Sequence, residues 1–269
     1  MLYIVATPIG NLDDFSKRAV DTLSSCDAIL CEDTRRSSIL LNRYGIQKPL
    51  ISYHKFKEKA SLEKILTDLQ SGQNLALISD AGTPCINDPG QILVQACIEK
   101  GIEVTAIPGA CSVIQALVLS GFDTSSFQFI GFLPKSGQSA LKRALHYPGT
   151  TVCFESPERL ISTLEEILAL DPDRELAVAR ELTKIYEESC WGKPSELLSH
   201  FQAHPPKGEI VLLIKEGKEF DDALSLEELV KMLQDLHGLS LKDAVKTSAK
   251  MKNLPKRDVY KHFLKSSKK

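Results

Sequence analysis

Residues 74–90 read NLALISDAGTPCINDPG. The run Asn74–Ser79 is short, apolar and bounded by turn formers, which predicts a buried strand. The loop behind it, Ser79–Pro84 continuing to Asp88–Gly90, is rich in glycine and proline, and 90–100 then carries a helical pattern. A buried strand feeding a helix through such a loop is the building unit of an α/β sheet. The unit recurs on both sides. A strand over Leu2–Ala6 precedes a helix at 16–25, and a strand at 27–31 precedes helices at 35–44 and 58–71. A strand over Glu103–Ile107 precedes the apolar helix Ala110–Ser120. This alternation predicts a largely parallel sheet with helices on both faces.

After Gly121 the rhythm restarts. Strands are predicted near 127–131, 150–155, 175–180, 184–191 and 209–215, with helices at 137–147, 157–169 and 194–203. The strands at 175–180 and 184–191 have no helix between them, which predicts antiparallel pairing and a mixed sheet. The expected divisions are an N-terminal α/β domain over 1–115, a second α/β domain over 116–216, a polar linker over 217–224 and a helical module over 225–269. In that module Ser225-x-x-Glu228 and Ser240-x-x-Asp243 have the form of capping boxes. Pro255 suits the first turn of a third helix, with Val259, Tyr260, Phe263 and Leu264 on one face. Three short helices have the size of a helix-turn-helix unit, and also of a helical hairpin docked on the body.

Composition bounds the class. The chain has 269 residues, 43% hydrophobic and 25% charged, within the ordinary soluble range. Its seven cysteines include no C-x-x-C pair, and Cys26, Cys31, Cys97 and Cys153 lie in apolar runs, as reduced thiols do. The start, MLYIVATPIG, reads as a first strand and not as a signal peptide, and no apolar run approaches the ~20 residues that span a bilayer. A cytoplasmic location is expected. The net charge of −2 hides a split: residues 240–269 hold ten Lys/Arg and two Asp, for +8, and the rest of the chain carries −10. An acidic body with a basic tail is expected of a protein that meets a polyanion at one end, and equally of a solvated lysine-rich terminus.

Ligands of open α/β sheets bind beyond the carboxyl ends of the strands. Four strand ends carry Gly/Pro loops: Thr7–Asn11, Ser79–Pro84 with Asp88–Gly90, Pro108–Ser112 and Pro205–Gly208. No G-x-G and no G-x-x-x-x-G-K-[ST] occurs, so neither a dinucleotide fingerprint nor a phosphate loop is present. The third loop lacks lysine and leads into an apolar helix, which suits an uncharged moiety better than a triphosphate. Adenosine joined to methionine fits, since its ammonium and sulfonium tolerate Asp80. Charged clusters also close strands, at Cys31-Glu-Asp-Thr-Arg35 and Ala179-Arg-Glu-Leu-Thr-Lys184, and Glu155 ends a third; ion-pair braces take the same form. His54 lies in a loop with interleaved aromatic and basic residues. His200 and His204 stand one helical turn apart with no cysteine or carboxylate at ligand spacing, and read as surface; no metal is expected.

The stretches VATPIGNLDD, CEDTRRS, ALISDAGTPCINDPG, IPGACS, GFLP, FESPERL, ARELTKIYE and KGEIVLLI together resemble the ribosomal RNA small subunit methyltransferase I family, one of the tetrapyrrole-methylase-like class III methyltransferases. The resemblance runs in order through residues 2–215. It implies a two-domain fold with S-adenosyl-L-methionine between the domains and a homodimer. It also implies 2′-O-methylation of a cytidine in the decoding region of small-subunit (16S) ribosomal RNA, free or in the 30S subunit. Carried over, Pro8 and Gly10 flank the cofactor, Asp80, Gly82, Thr83 and Ile86 form its second loop, and Pro108, Gly109, Cys111 and Ser112 its third. Phe132, Phe154 and Leu182 would be walls. Three positions depart from the family: Lys57 replaces an asparagine, Glu158 a histidine and Ala110 a frequent proline.

A carboxylate or imidazole in reach of the ribose hydroxyl would act as base, and Asp33, Glu155, Glu181 and His54 are the candidates. Arg35, Arg180 and Lys184 would hold phosphates or a developing alkoxide. Two rival readings share the fold: a class III methyltransferase for a tetrapyrrole or protein, against which the basic tail and CEDTRRS speak, and a non-catalytic RNA-binding factor.

Overall fold

The computed structural model describes residues 1–134, 138–217, 225–237, 239–252, 254–255, 257, 259 and 263. The chain forms two compact units, one of Met1–Ala116 with Glu181–Glu188, the other of Leu117–Arg180 with Ser189–Lys269.

The first unit runs β1 (Leu2–Val5), α1 (Lys17–Ser25), β2 (Ala28–Cys31), α2 (Thr34–Arg43), β3 (Leu50–Ser52), α3 (Glu58–Gln70), β4 (Leu75–Leu77), α4 (Gln91–Glu99) and β5 (Val104–Ile107), and includes the start of α5 (Ser112–Ser120). The strands form a sheet in the order β3-β2-β4-β1-β5, with every neighbouring pair parallel. Alternation of side chains along a strand explains the two layers of core. Leu2, Ile4, Leu30, Leu75 and Leu77 pack on one face with Ile65, Leu66 and Leu69 of α3 and Leu93 and Cys97 of α4. Val5, Ile29, Cys31, Ala76 and Ile78 pack on the other with Ala19 and Leu23 of α1 and Leu41 of α2. Right-handed crossovers dictate this placement, because the chain moves one way along the sheet through α1 and α2 and returns through α3 and α4. β3, three residues long at the sheet edge, is an element the hydrophobic pattern does not reveal.

The second unit carries β6 (Phe127–Phe132), α6 (Gln138–Leu145), β7 (Thr150–Glu155), α7 (Pro157–Leu170), β8 (Leu176–Arg180), most of β9 (Glu188–Gly192), α8 (Pro194–Ala203) and β10 (Ile210–Ile214). The sheet order is β6-β7-β10-β8-β9. It is mixed: β6 runs parallel to β7, while β10 runs antiparallel to both β7 and β8. β9 sits beside β8 at the edge. The strand expected from 184 starts only at Glu188, because the preceding residues fold into turns, with Lys184 N donating to Glu181 O (3.0 Å) and Glu187 N to Lys184 O (3.1 Å). Leu141 and Leu145 of α6, Leu160 and Leu164 of α7, and Leu197 and Phe201 of α8 share one core with Cys153, Val178 and Leu212 of the sheet.

The described residues from 225 on form α9 (Leu226–His237), α10 (Leu241–Met251) and helical positions at 257, 259 and 263. Both capping pairs are formed: Ser225 N donates to Glu228 (2.8 Å) and Glu228 N to Ser225 Oγ (3.2 Å), and Asp243 N donates to Ser240 Oγ (3.2 Å). Leu229, Val230, Leu233, Ala244, Val245, Ala249 and Val259 make a small separate core, with Phe263 against it. The linker from 218 on, and Tyr260 and Leu264, lie outside the described residues. Among the described residues no helix is long and apolar enough to cross a membrane.

Candidate functional site

β1 and β4 are neighbours whose following helices depart to opposite faces, which makes their carboxyl ends a topological switch point. The loops there are tied together. Thr7 N donates to Gly82 O (2.9 Å) and Gly82 N to Thr7 O (3.1 Å). Thr7 Oγ1 donates to Ser79 O (3.1 Å), and Thr83 Oγ1 to Ala110 O (3.0 Å), which brings in the β5 loop. Pro8, Gly10, Asp80, Gly82, Thr83, Ile86, Pro108, Gly109, Cys111 and Ser112 therefore occupy three loops at one end of one sheet. Pro8 and Gly82 are buried, whereas Gly10, Ile86, Pro108 and Gly109 are exposed. Cys111 N donates to Gln115 Oε1 (3.0 Å), and α5 starts at Ser112.

This end of the sheet is acidic. Asp33 caps α2, and its carboxylate takes Arg35 N (2.9 Å), Arg35 Nε (3.1 Å) and Arg35 Nη2 (2.8 Å). Those bonds hold Asp33 down at about 2. Asp80 accepts from Asp33 N (3.3 Å) and pairs with Arg36 (3.3 Å). Glu32 is pushed up to about 7, first by burial and then by the charges of Asp88 and Asp80. Asp88 is pushed up to about 6 by burial, with Asp80 adding to it and a bond from Ser79 opposing. Glu32 and Asp88 are members that sequence reasoning missed. Glu32 was visible only as part of CEDTRRS, and the folding of Asp88 toward it leaves no trace in spacing.

The β4 loop is strained and braced. Cys85 and Asn87 have φ of 71° and 65°, and Gly90, at φ 131°, opens α4 where an added Cβ would stand 2.5 Å from Leu77 Cδ2. The brace is Glu58, a buried carboxylate at the start of α3 that accepts from Gly90 N (2.8 Å) and from the fully buried Tyr53 hydroxyl (3.2 Å). His54, half-buried, heads the turn between them, its carbonyl accepting from Lys57 N (2.7 Å) and Glu58 N (3.1 Å). The tyrosine and glutamate of that stretch thus have a structural task.

Segment Glu181–Glu188 belongs to the first unit and docks on the β1 loop. Asn11 N donates to Thr183 Oγ1 (2.9 Å), and Glu187 accepts from Thr183 N (2.5 Å). Gly10 leaves no room for a side chain there: a Cβ would lie 2.4 Å from Lys184 Cγ, 2.8 Å from Thr183 Oγ1 and 3.1 Å from Leu182 O. Lys184 Nζ bonds Glu181 Oε1 (2.7 Å), and Leu182 is buried. Glu181, Leu182 and Lys184 are thereby brought to Gly10.

The other expected residues belong to the second unit. Glu155, 2% exposed, accepts from Ser156 N (2.8 Å) and Thr163 Oγ1 (2.7 Å) and pairs with Arg159 (3.5 Å), so its carboxylate secures the start of α7. Arg180 ends β8 opposite Ile210. Phe132 and Phe154 stack edge to face at 5.5 Å, and Phe132 is 52% exposed.

A profile of the tetrapyrrole (corrin/porphyrin) methylases matches residues 1–198. A ribosomal RNA small subunit methyltransferase I from Thermotoga maritima is 48% identical, over 81% of this chain and 99% of the relative. The protein of that name from Escherichia coli O157:H7 is 40% identical over 98% of this chain and 94% of its own. Among solved structures, a uroporphyrin-III C-methyl transferase from Thermus thermophilus complexed with S-adenyl homocysteine superposes with a TM-score of 0.57 at 16% identity. It covers 79% of this chain and 96% of its own.

Proposed function

The chain belongs to the tetrapyrrole methylase family and, within it, to the ribosomal RNA small subunit methyltransferase I proteins, and we propose that it methylates the ribose 2′-oxygen of a cytidine in the decoding region of 16S rRNA. The methyl donor is S-adenosylmethionine. The observation that carries the reading is the acid-rich, backbone-lined strand end of the first unit. Burial, with the mutual repulsion of Glu32, Asp80 and Asp88 added to it, raises the titrations of Glu32 and Asp88, and such an acidic strand end repels a polyphosphate and suits a ligand bearing ammonium and sulfonium charges. Backbone from Pro8, Gly10, Gly82, Thr83, Pro108, Gly109, Cys111 and Ser112 would take the adenosine and carboxylate, with Asp80 facing the cationic groups and Ile86 and Leu182 as apolar contacts.

When bound, the cofactor supplies an electrophilic methyl on a sulfonium; the protein aligns the ribose oxygen and takes its proton. We assign the proton to Glu181. Asp33 is held by Arg35 far too acidic to be an effective base near neutrality, and Glu155 is buried among three partners. Glu181 stands in the strained loop beside Gly10, where Lys184 balances its charge. Arg35 is assigned to a flanking phosphate. Glu181→Gln should lower kcat by about 100-fold or more with KM little changed. A KM effect alone would remove Glu181 from this role.

Residues 225–269 are proposed as the RNA-contact module, on the strength of their charge and their own core. Deleting them should weaken 16S rRNA or 30S binding, more so at low salt, and leave S-adenosylmethionine binding unchanged. We further propose a cytoplasmic homodimer. Mapping of ribose methylation in 16S rRNA from cells with and without the protein tests the whole reading. A methylation map unchanged by its loss would reject it.

A further inference from the structure

Sequence spacing leaves His200 with no ligating neighbour, and the fold supplies two. Among the described residues one group of three side chains can hold a metal ion: Glu188, Cys190 and His200, whose ligating atoms all lie within 4.8 Å of one another. Glu188 and Cys190 are two apart on β9 and so project from the same face of the strand. His200 comes from the second turn of α8, which follows β9 after a single residue. All three are half-buried, so an ion there would be partly shielded and still reachable.

We propose that Glu188, Cys190 and His200 form a zinc site, independent of the methyl-transfer reading. The donor set is one thiolate, one imidazole and one carboxylate, the mixture of soft and borderline ligands that selects zinc over magnesium or calcium. The geometry agrees. Zinc–sulfur and zinc–nitrogen bonds of about 2.3 and 2.05 Å at a tetrahedral angle place the two donors about 3.6 Å apart. Cys190 Sγ and His200 Nε2 are 3.6 Å apart. With three protein ligands the fourth position goes to water. Binding converts the Cys190 thiol to thiolate and releases its proton to solvent, so affinity rises with pH. The ion would clamp β9, the edge strand of its sheet, onto the helix that follows it.

The test uses the full chain, stripped with a chelator and titrated with zinc and, separately, with cobalt(II). One equivalent per chain is expected, with cobalt giving a thiolate charge-transfer band and the intense d–d absorption of a tetrahedral site. Cys190→Ser and His200→Gln should each weaken zinc binding by at least roughly 100-fold, more than the loss of an outer-shell partner costs. Because either variant can disturb folding, a second measurement is made on the unaltered protein. Zinc should protect Cys190 from alkylation, read by peptide mass spectrometry, and the chelator should restore its reactivity. Sub-stoichiometric binding, a cobalt spectrum without the thiolate band, or Cys190 alkylation indifferent to zinc would overturn the proposal.

Discussion

Substituting Glu32 by glutamine should stabilise the protein and weaken its ligand, in a pH-dependent way that follows from the burial of Glu32 beside Asp88 and Asp80. Glu32 titrates at about 7 in the fold against an ordinary 4.5. A carboxyl raised in this way binds its proton more tightly folded than unfolded. Its contribution to stability is complete below 4.5 and is lost as the pH climbs through about 7. At 1.36 kcal/mol per pH unit the displacement is worth about 3.4 kcal/mol, and because Glu32 is only partly buried, solvent screening reduces this to about 1–2 kcal/mol. Glutamine keeps the shape and cannot ionise. Urea unfolding at constant ionic strength should therefore find the variant and the parent alike at pH 4.5. By pH 8 the variant should be ahead by about 1–2 kcal/mol, with an unchanged m value. Calorimetry with S-adenosylmethionine at pH 8 should show the opposite sign, about 3–10-fold weaker binding, because a charge facing a cation has gone. A stability difference that is the same at every pH would refute the electrostatic account of the cluster.

Two further substitutions probe the loops. Gly10→Ala drives a methyl into Thr183 and the Leu182 carbonyl and should cost about 1–3 kcal/mol, read as a lower melting temperature; an unchanged one would mean that the 181–188 segment does not rest on the β1 loop. Glu58→Ala leaves Gly90 N and the buried Tyr53 hydroxyl without their acceptor, for a loss of about 2–4 kcal/mol, and should speed proteolysis within 81–90. Equal cleavage rates in variant and parent would remove the brace from the account.

The parallel sheet was legible because strands buried on both faces, such as Leu75–Leu77, are apolar throughout and each is followed by a helix of different period. The capping pairs at Ser225 and Ser240 were legible because they are local chemistry. The β3 edge strand was not: three half-buried residues carry no period. Nor was the turn at 181–187, where RELTKIYE has the composition of a strand but folds into turns closed by Lys184 N and Glu187 N, with positive φ at Glu181 and Thr183. At the strand ends, glycine and proline marked the three loops that the fold ties together. Asp88 beside Glu32, Glu58 under Gly90 and Cys190 beside His200 all depend on which elements the fold brings together, and no spacing rule encodes that.

The strain has a pattern of its own. Each of the positive-φ residues other than glycine among the described residues, Cys85, Asn87, Glu181 and Thr183, lies in one of the two loops that adjoin the β1 turn. Such conformations cost about 1–3 kcal/mol apiece and persist only where the surroundings over-determine them. Here the surroundings are identifiable: Glu58 holds the Gly90 end of one loop, and Asn11 and Glu187 hold Thr183 in the other. Relaxing either loop would pull backbone away from Gly10 or Gly82, so stability is spent on a fixed shape at the strand ends. A braced, acid-lined strand end suits a methyl donor that must present one atom in line with an incoming nucleophile. For that task a misplacement of about 1 Å costs on the order of 100-fold in rate.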